Sequence, residues 1–389
     1  MSTHAKLSPS GSAGWGTCAH WESDPTGSEH ARIGTSAHAL AEKCLVEALQ
    51  PHDFIGAQIE GIVIDSEMAD NVTEYVNLVR DILMVGGQAF IEQTVPIDHI
   101  NNEPDSTGTI DCIIVQGDEL ILIDYKNGVM PVEVKDNSQL KMYASGAMKF
   151  FDLIGEFNSI RTFICQPRAG GITEWVYTLD EIREFEADIT AAAQRHGNPD
   201  VPRSPGVKQC TWCRNKPTCQ PLADFSQSVV LEAFGTLTDD EAERIDIPAH
   251  VEQTEPEVLA EHFMRIELIE LWVRAVKAKV ETDLLAGKAI PGLKLVAGRR
   301  GNRRWTDDDE VATALRTAGV GDDVIFTTSV NSPASLEKLV KAKKLPKSTW
   351  QQVESLVTAP DAKPTVALTS DPRSAVVIAS GDELFSNIQ

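Results

Sequence analysis

Apolar positions in the first half of the chain recur at two spacings, which together predict a sheet with helices packed against it. Apolar residues at helical spacing predict helices over residues 35–50, 67–85, 136–151 and 180–195. Short apolar runs bounded by turn residues predict strands over residues 90–97, 108–115, 119–125, 160–166 and 172–179. Elements in this order predict an α/β fold, in which a mixed sheet is flanked by helices.

The second half of the chain has a mainly helical pattern. Apolar spacing predicts one short strand and three helices, at residues 293–298, 256–286, 308–317 and 333–344. The last residues mix Pro, Ser, Asp and Ala without a period, which predicts disorder. We therefore expect an α/β domain at residues 1–225, a long helical connector at 226–290, a small basic helical C-terminal region at 291–356 and a disordered tail at 357–389.

The charge of the chain is strongly negative and unevenly distributed. The formal net charge is −23, which argues weakly against a protein whose main task is to coat nucleic acid. Residues 291–350, however, hold 11 Lys or Arg and 7 Asp or Glu, so this stretch has a net charge of +4. The chain has no apolar run of about 18 residues and no secretory pattern at its start. We therefore expect a cytoplasmic protein that binds no membrane.

Two aspartates and a lysine lie on neighbouring predicted strands that are otherwise apolar. Asp111 is near the start of one strand, and Asp124 and Lys126 end the next. A buried, unpaired carboxylate is costly, and a hard cation such as Mg²⁺ or Mn²⁺ offsets that cost through oxygen ligands. Lys126 lies on the same strand face as Asp124, because side chains alternate with a period of two. This group suits phosphodiester hydrolysis, although the triplet alone also fits two turn caps and a solvated strand end.

Four short motifs in a fixed order resemble the RecB-type branch of the PD-(D/E)XK nuclease superfamily. Each motif is weak alone, and the four are G-x-x-x-H (Gly34 to His38), G-x-x-D (Gly108 to Asp111), D-Y-K (Asp124 to Lys126) and Q-x-x-x-Y (Gln139 to Tyr143). The resemblance covers about residues 10–225. It implies a restriction-endonuclease-like fold and a nuclease that depends on Mg²⁺ or Mn²⁺.

The same resemblance implies a role for each motif residue. The implied metal ligands are His38, Asp111, Asp124 and the carbonyl oxygen of Tyr125. Lys126 is expected to assist the attacking water. Gln139 and Tyr143 are expected to contact the DNA strand or to support the site.

Four of the seven cysteines lie outside apolar patterns, and they are Cys18, Cys210, Cys213 and Cys219. Thiolates favour soft cations, so four of them suit a metal site that joins the two ends of the α/β domain. Zinc accepts four thiolates, and unligated thiols are a further alternative. One upstream cysteine with a downstream triple resembles the clamp of AddB-type, exonuclease-V-type and CRISPR-adaptation nucleases. That resemblance implies a structural [4Fe–4S] cluster.

A basic strip with one tryptophan is the candidate DNA-binding surface of the C-terminal region. Its residues are Arg299, Arg300, Arg303, Arg304 and Trp305. Arginines follow a phosphate backbone and an indole ring stacks on bases, so the strip suits a DNA strand. The alternative is a solvated basic loop.

Nearly the whole chain also resembles a bacteriophage and prophage family of unknown function, through segments such as GTSAHALAEKCL and IPGLKLVAGRRGNRRW. This resemblance implies DNA recombination or processing in a bacterial host cell, with a single-strand-annealing or single-strand-binding protein as partner. We therefore expect a metal-dependent DNA nuclease, most naturally an exonuclease, that acts on single- or double-stranded ends. The alternative is a catalytically inactive DNA-binding scaffold that retains the fold and the cysteine cluster.

Overall fold

The computed structural model describes residues 5–24, 29–234, 255–296, 308–317, 333–341 and 344–354, together with residues 321, 322, 326 and 357. The chain forms two compact units, Met1–Val296 and Ala297–Gln389. The boundary predicted at residue 225 falls inside a helix, and the one predicted at residue 290 falls shortly before the first unit ends. The four-part division of the chain stays a prediction.

The first unit contains a five-stranded sheet, a small hairpin and the helices around them. Its strands are β1 (Gln58–Ile59), β2 (Ile62–Val63), β3 (Gln88–Pro96), β4 (Thr107–Gln116), β5 (Glu119–Tyr125), β6 (Ser159–Gln166) and β7 (Gly171–Tyr177). Its helices are α1 (Ser12–Trp15), α2 (Glu29–Val46), α3 (Ser66–Met84), α4 (Asp98–Asn101), α5 (Ser138–Phe150), α6 (Leu179–Arg195), α7 (Val207–Cys210), α8 (Gln220–Phe234) and α9 (Pro256–Leu285). Among the described residues, no helix is both long and apolar enough to cross a membrane.

Strands β3 to β7 lie side by side in sequence order. Strands β5 and β6 pair in parallel, and the other neighbours pair antiparallel. A parallel pair needs a crossover connection, and α5 supplies it. In the tight β4–β5 turn, Gly117 has a φ of 62°, in the region that favours glycine. The predicted mixed sheet flanked by helices is confirmed.

The two faces of the sheet are covered by different helices. On one face, Leu40 of α2 and Ile123 of β5 belong to the same core cluster, to which α3 also contributes. On the other face, Leu122 packs with Ala144 of α5 and Ile182 of α6. Adjacent residues of β5 thus face opposite layers, as the period of a strand requires. The carboxyl end of β5 therefore lies between α2 and α5.

Polar caps set the starts of three helices that cover the sheet. Asp65 caps α3 and Asn137 caps α5, each by accepting a hydrogen bond from a backbone N–H three residues further on. Thr178 and Glu181 form a reciprocal capping box at the start of α6. The cap at Asn137 determines the position of the first turn of α5, which carries Gln139.

The second unit is helical in its described residues. Its helices are α10 (Asp308–Thr317), α11 (Pro333–Lys341) and α12 (Lys347–Val353). Trp350 of α12 is buried, and α11 contacts α12. The predicted helical character of the C-terminal region is confirmed. The predicted tail lies outside the described residues, except for residue 357.

Several boundaries differ from those that the sequence pattern predicts. The pattern places the start of α2 at Thr35, but α2 begins at Glu29, and Thr35 Oγ1 donates to the Ala31 carbonyl oxygen inside the helix at 3.1 Å. The packing of Ile33 against the core extends the helix through Gly34. Helix α12 was not predicted, and α8 begins at Gln220, before the helical connector that was predicted to start at residue 226. Residues 293–296, the described part of the predicted short strand, are not in a strand.

The Gly34→Ala change is expected to raise the free energy of unfolding by about 0.5–1 kcal/mol, because Ala is the better helix former. A Cβ at Gly34 meets no heavy atom within 4 Å. Gly146→Ala in α5 is the matched opposite case, because its Cβ would lie 2.7 Å from Val95 Cγ2 and 2.9 Å from the Pro96 carbonyl oxygen. Urea unfolding measures the change in the free energy of unfolding for both variants, which should be positive for Gly34→Ala and negative for Gly146→Ala. A destabilised Gly34→Ala protein would contradict this account of the helix.

Candidate active site

Asp111 connects helix α2 to the end of strand β5. Its Oδ2 accepts a hydrogen bond from the backbone N–H of Tyr125 at 2.7 Å, and its Oδ1 lies 3.3 Å from His38 Nδ1. Burial disfavours the charged imidazole, but the carboxylates of Asp111 and Asp124 outweigh burial and raise the pKa of His38. The structure therefore brings His38 and Asp111 together, as a shared role in metal binding requires.

The ring of Tyr125 supports the imidazole of His38. The two rings meet edge to face with their centroids 5.3 Å apart, and the ring of Tyr75 lies 5.2 Å from that of Tyr125. Both tyrosines are buried in the core. Such aromatic contacts restrict the rotation of the imidazole. The role of the Tyr125 carbonyl oxygen as a metal ligand stays a prediction.

A hydrogen-bonded network joins the D-Y-K motif on β5 to the Q-x-x-x-Y motif on α5. Lys126 Nζ lies 2.9 Å from Asp124 Oδ2 and donates to Gln139 Oε1 at 3.1 Å. Gln139 Nε2 donates to Asp124 Oδ1 and to the Tyr143 hydroxyl, both at 3.3 Å. Residues four apart share one face of a helix, so Gln139 and Tyr143 both reach this network. The structure thus brings together all four of these predicted residues.

Asp124 and Lys126 form an ion pair in the protein interior. Asp124 is only 3% exposed. Burial raises the pKa of Asp124, the Lys126 ammonium opposes that rise, and the charge of Asp111 adds to it. Burial favours the neutral amine of Lys126, but the carboxylate of Asp124 outweighs burial and raises the pKa of Lys126. Each charge therefore depends on the other, and loss of either partner leaves a buried charge uncompensated.

Glu92 belongs to the site although no sequence motif includes it. It lies on β3, and the pairing register on either side places it opposite Asp111 on β4. One ligand atom from each of Glu92, His38 and Asp111 lies within 4.8 Å of the other two. Burial, and then the charge of Asp111, raise the pKa of Glu92 to about 7. The signal in the sequence is a lone carboxylate in an apolar strand, but only the register shows that it faces Asp111.

Steric crowding explains why the G-x-x-D motif begins with a glycine, Gly108. A Cβ at this position would lie 2.9 Å from Pro9 Cγ and 3.0 Å from Tyr143 Cε1. Contacts under about 3.4 Å require the neighbours to move. The absence of a side chain therefore lets the ring of Tyr143 approach β4.

The four cysteines predicted as ligands line one cavity of the first unit, and they are Cys18, Cys210, Cys213 and Cys219. All four are free thiols. Backbone contacts hold the N-terminal segment against this region, since the N–H of Arg214 donates to the Glu22 carbonyl oxygen at 2.9 Å. Asn215 Nδ2 also donates to the His20 carbonyl oxygen at 3.2 Å. Residues far apart in sequence thus meet at a single site.

The chemistry of this cavity fits a soft metal. Burial, together with the neighbouring thiols, raises the pKa of Cys210, and a soft cation stabilises the thiolate form of such a group. Leu268 of α9 packs against Cys210 and Cys219, so this long helix covers one side of the cysteine cavity. The remaining cysteines are fully buried in the first core cluster, as their apolar context predicts, and they are Cys44, Cys112 and Cys165.

The predicted DNA-binding strip of the C-terminal region lies outside the described residues. It consists of Arg299, Arg300, Arg303, Arg304 and Trp305. In the described part of the same basic region, Lys344 and Lys347 are exposed. A role of the strip in DNA binding stays a prediction.

Two comparisons relate the chain to known proteins. A solved structure titled "Crystal structure of SSO0001" matches 40% of this chain and 70% of its own length at 15% sequence identity. Its TM-score is 0.24. A family described as "Protein of unknown function (DUF2800)" matches residues 4–374, which is most of the chain. The chain therefore belongs to the DUF2800 family of proteins of unknown function.

Proposed function

We propose that the protein is a metal-dependent DNA nuclease that hydrolyses phosphodiester bonds at DNA ends. The observation that carries this proposal is the arrangement of Asp111, Asp124 and Lys126 between the flanking side chains of His38 and Gln139. Carboxylates bind a divalent cation, and an ammonium group stabilises the negative charge of a phosphoryl transition state. A buried ion pair with perturbed pKa values is costly for folding, and such pairs concentrate at functional sites.

The side chains divide the work of this reaction. Asp111 and Asp124, together with His38, would hold an Mg²⁺ or Mn²⁺ ion; such an ion would supply a water molecule of lowered pKa and would offset the charge that develops on phosphate. Lys126 stays protonated and donates a hydrogen bond from Nζ to the attacking water or to a phosphate oxygen. In the structure without substrate, Nζ donates to Gln139 Oε1 instead. Through its amide, Gln139 contacts both Lys126 and Asp124 and so maintains their relative positions.

We also propose that the cysteine cavity holds a [4Fe–4S] cluster, with zinc as the alternative. The support is the order of the cysteines in the sequence, which resembles the iron–sulfur nucleases, and the four free thiols around one cavity. A cluster held by Cys18 and the downstream cysteines would join the N-terminal segment to the end of the nuclease domain. Its role would be structural, because the residues that line the cavity belong to different elements from those that carry Asp124 and Lys126.

The proposed substrate is the free end of single- or double-stranded DNA in phage recombination or genome processing. An acidic protein binds DNA through a local basic surface, because charges are screened within about 10 Å. The basic region at residues 291–350 is the proposed contact to the backbone. A phage single-strand-annealing or single-strand-binding protein is the proposed partner.

The nuclease proposal is tested with end-labelled linear DNA and closed circular DNA in the presence of Mg²⁺, Mn²⁺ or EDTA. We expect metal-dependent release of short products from linear DNA, and at least a roughly 100-fold lower rate for Lys126→Met. Lys43→Met is the control, because it removes an exposed lysine of α2 that pairs with Glu47. Intact DNA with every metal, from folded wild-type protein, would overturn the proposal and leave the inactive DNA-binding scaffold as the better account.

A further inference from the structure

A short loop joins strand β5 to helix α5 and begins directly after Lys126 of the candidate active site. Its first six residues, 127–132, carry no charged side chain. Val129 and Met130 lie at the tip of this loop, and their exposed fractions are 63% and 57%. Exposed loops are mostly built from polar and turn-forming residues. An adjacent pair of exposed apolar side chains beside this site is therefore suited to contact an apolar part of the substrate.

The side chain of Gln166 holds the backbone of the loop in place. Gln166 ends strand β6 and is only 2% exposed. Its Nε2 donates to the carbonyl oxygens of Gly128 at 2.9 Å and Met130 at 2.7 Å, and its Oε1 accepts the N–H of Val132 at 3.0 Å. A buried amide that makes three hydrogen bonds to one loop restricts the backbone of that loop. Val129 and Met130 therefore project from a fixed backbone.

Both ends of the loop are anchored as well. At the start, the N–H of Lys126 donates to the carbonyl oxygen of Cys165 at 2.9 Å. At the end, Val134 is buried in a small core cluster with Leu140 and Ile164. A loop that is already ordered loses little conformational entropy when its tip contacts a ligand. The tip is thus prepared for contact before any substrate binds.

The tip lies within a few nucleotides of the proposed reaction. Met130 follows Lys126 by four residues, and an extended chain spans at most about 3.3–3.6 Å per residue. The Cα atoms of these two residues are therefore at most about 14 Å apart. Successive bases of one DNA strand are about 3.4 Å apart, so the tip reaches bases within about four nucleotides of a phosphate at Lys126.

The chemistry around the tip matches the two parts of a nucleotide strand. Proteins that unstack DNA insert apolar side chains such as Met and Pro between base steps, and the exposed Pro131 directly follows the tip. Arg168 lies beside the loop, where its Nη1 donates to the carbonyl oxygen of Asn127 at 3.3 Å and its Nε pairs with Glu67 at 3.4 Å. Its side chain is 33% exposed, and a guanidinium group binds phosphate oxygens. Bases against the tip and a phosphate against Arg168 suit the same strand.

We propose that Val129 and Met130 form an apolar wedge that separates the last base pairs at a DNA end. The wedge contacts the unstacked bases, and the backbone of the separated strand passes to the site at Lys126. This inference rests on the proposed function and deepens it, because the substrate would be a duplex end that the protein unpairs before hydrolysis. Unpairing is measured without any hydrolysis.

The test uses duplex DNA with 2-aminopurine, an adenine analogue that becomes more fluorescent when it leaves the base stack, at the last base pair of one end. The full chain is purified without oxygen and added at saturating concentration in EDTA, and the anisotropy of a dye at the other end measures binding separately. We expect the wild-type protein to raise the 2-aminopurine fluorescence. The double variant Val129→Ser, Met130→Ser should reduce this rise at least about fivefold, because it loses the burial of apolar surface against the bases.

The double variant Leu153→Ser, Ile154→Ser is the matched control. These two neighbours are 99% and 65% exposed, and they lie in the connection that precedes β6. The first residue of β6, Ser159, pairs with Glu119, the first residue of β5, so this connection is at the end of the sheet opposite Lys126. The control removes the same number of exposed apolar side chains and should keep the wild-type fluorescence rise.

The outcomes separate this inference from the nuclease proposal. A fluorescence rise that the wedge variant loses and the control keeps supports the inference even if the protein leaves all DNA intact with every metal. The inference is overturned, even if the protein cleaves DNA, when wild-type protein fails to bind the duplex end or binds it without a rise. An equal rise in the wedge variant, or a loss that the control shares, overturns it as well.

Discussion

Replacing Cys210 with alanine is expected to remove bound iron from protein purified without oxygen and to lower the free energy of unfolding by about 5 kcal/mol. A cluster that joins Cys18 to Cys210 closes a loop of about 190 residues. Closing such a long loop removes much of the entropy of the unfolded chain, so loss of the cross-link destabilises the folded state by this order. The buried side chains of Leu222 and Leu268 also pack on the cluster region and would lose that support.

Cys44→Ala is the matched control for this experiment. Cys44 is fully buried in the core cluster of α2 and α3, and it does not line the cysteine cavity. This variant should lose stability only through a small cavity and should keep the full iron content of the wild type. Metal analysis and thermal unfolding are measured on both proteins. Iron that persists in Cys210→Ala contradicts a cysteine-bound cluster, and one zinc per wild-type chain in place of iron selects the zinc alternative.

Asp124→Asn and Lys126→Met are each expected to destabilise the metal-free protein, while the double variant recovers much of the loss. The two side chains form a buried ion pair at 2.9 Å, and either single change leaves one charge without its partner. Breaking such a pair costs roughly 3–5 kcal/mol, and its replacement by two neutral groups is often harmless. The Lys126 side chain is 26% exposed, so we expect values near the lower end of that range.

A double-mutant cycle, measured by urea unfolding in EDTA, determines this coupling. The two single variants and the double variant should all lack nuclease activity. Neutral side chains can restore stability, but they cannot bind the metal or stabilise the charged transition state. Arg274, which pairs with Glu270 on α9, offers a comparison pair on the surface, because the two side chains are 73% and 63% exposed. Its cycle should give a coupling energy of only about 0.2–1 kcal/mol. Additive effects of Asp124→Asn and Lys126→Met would contradict the pair as a coupled buried unit.

The motif residues were found from the sequence because each motif is local. Lys126 follows Asp124 by two positions on one strand, and Tyr143 follows Gln139 by four positions on one helix. Strand and helix periods then place each pair on a shared face before any tertiary contact is known. The structure adds the link between these pairs, through the hydrogen bonds of Gln139 to both Lys126 and Asp124.

The position of Glu92 in the site could not be predicted from local sequence patterns. No period of two or 3.6 relates it to Asp111, because the two residues belong to different strands that are joined by a long connection. Their proximity depends on the register of β3 against β4 and on the change of face at Glu92. Register is a property of paired strands, so a single strand pattern does not contain it.

Local sequence patterns were sufficient to predict the main helices and strands around the sheet in their order, the mixed sheet and the motif side chains, because periodicity and turn chemistry act over a few neighbouring residues. Three other features are visible only in the folded chain: Glu92 faces Asp111, Cys18 meets Cys219, and α2 begins at Glu29. These features depend on packing and register between segments far apart in the chain, where the free energy of burial overrides local preference.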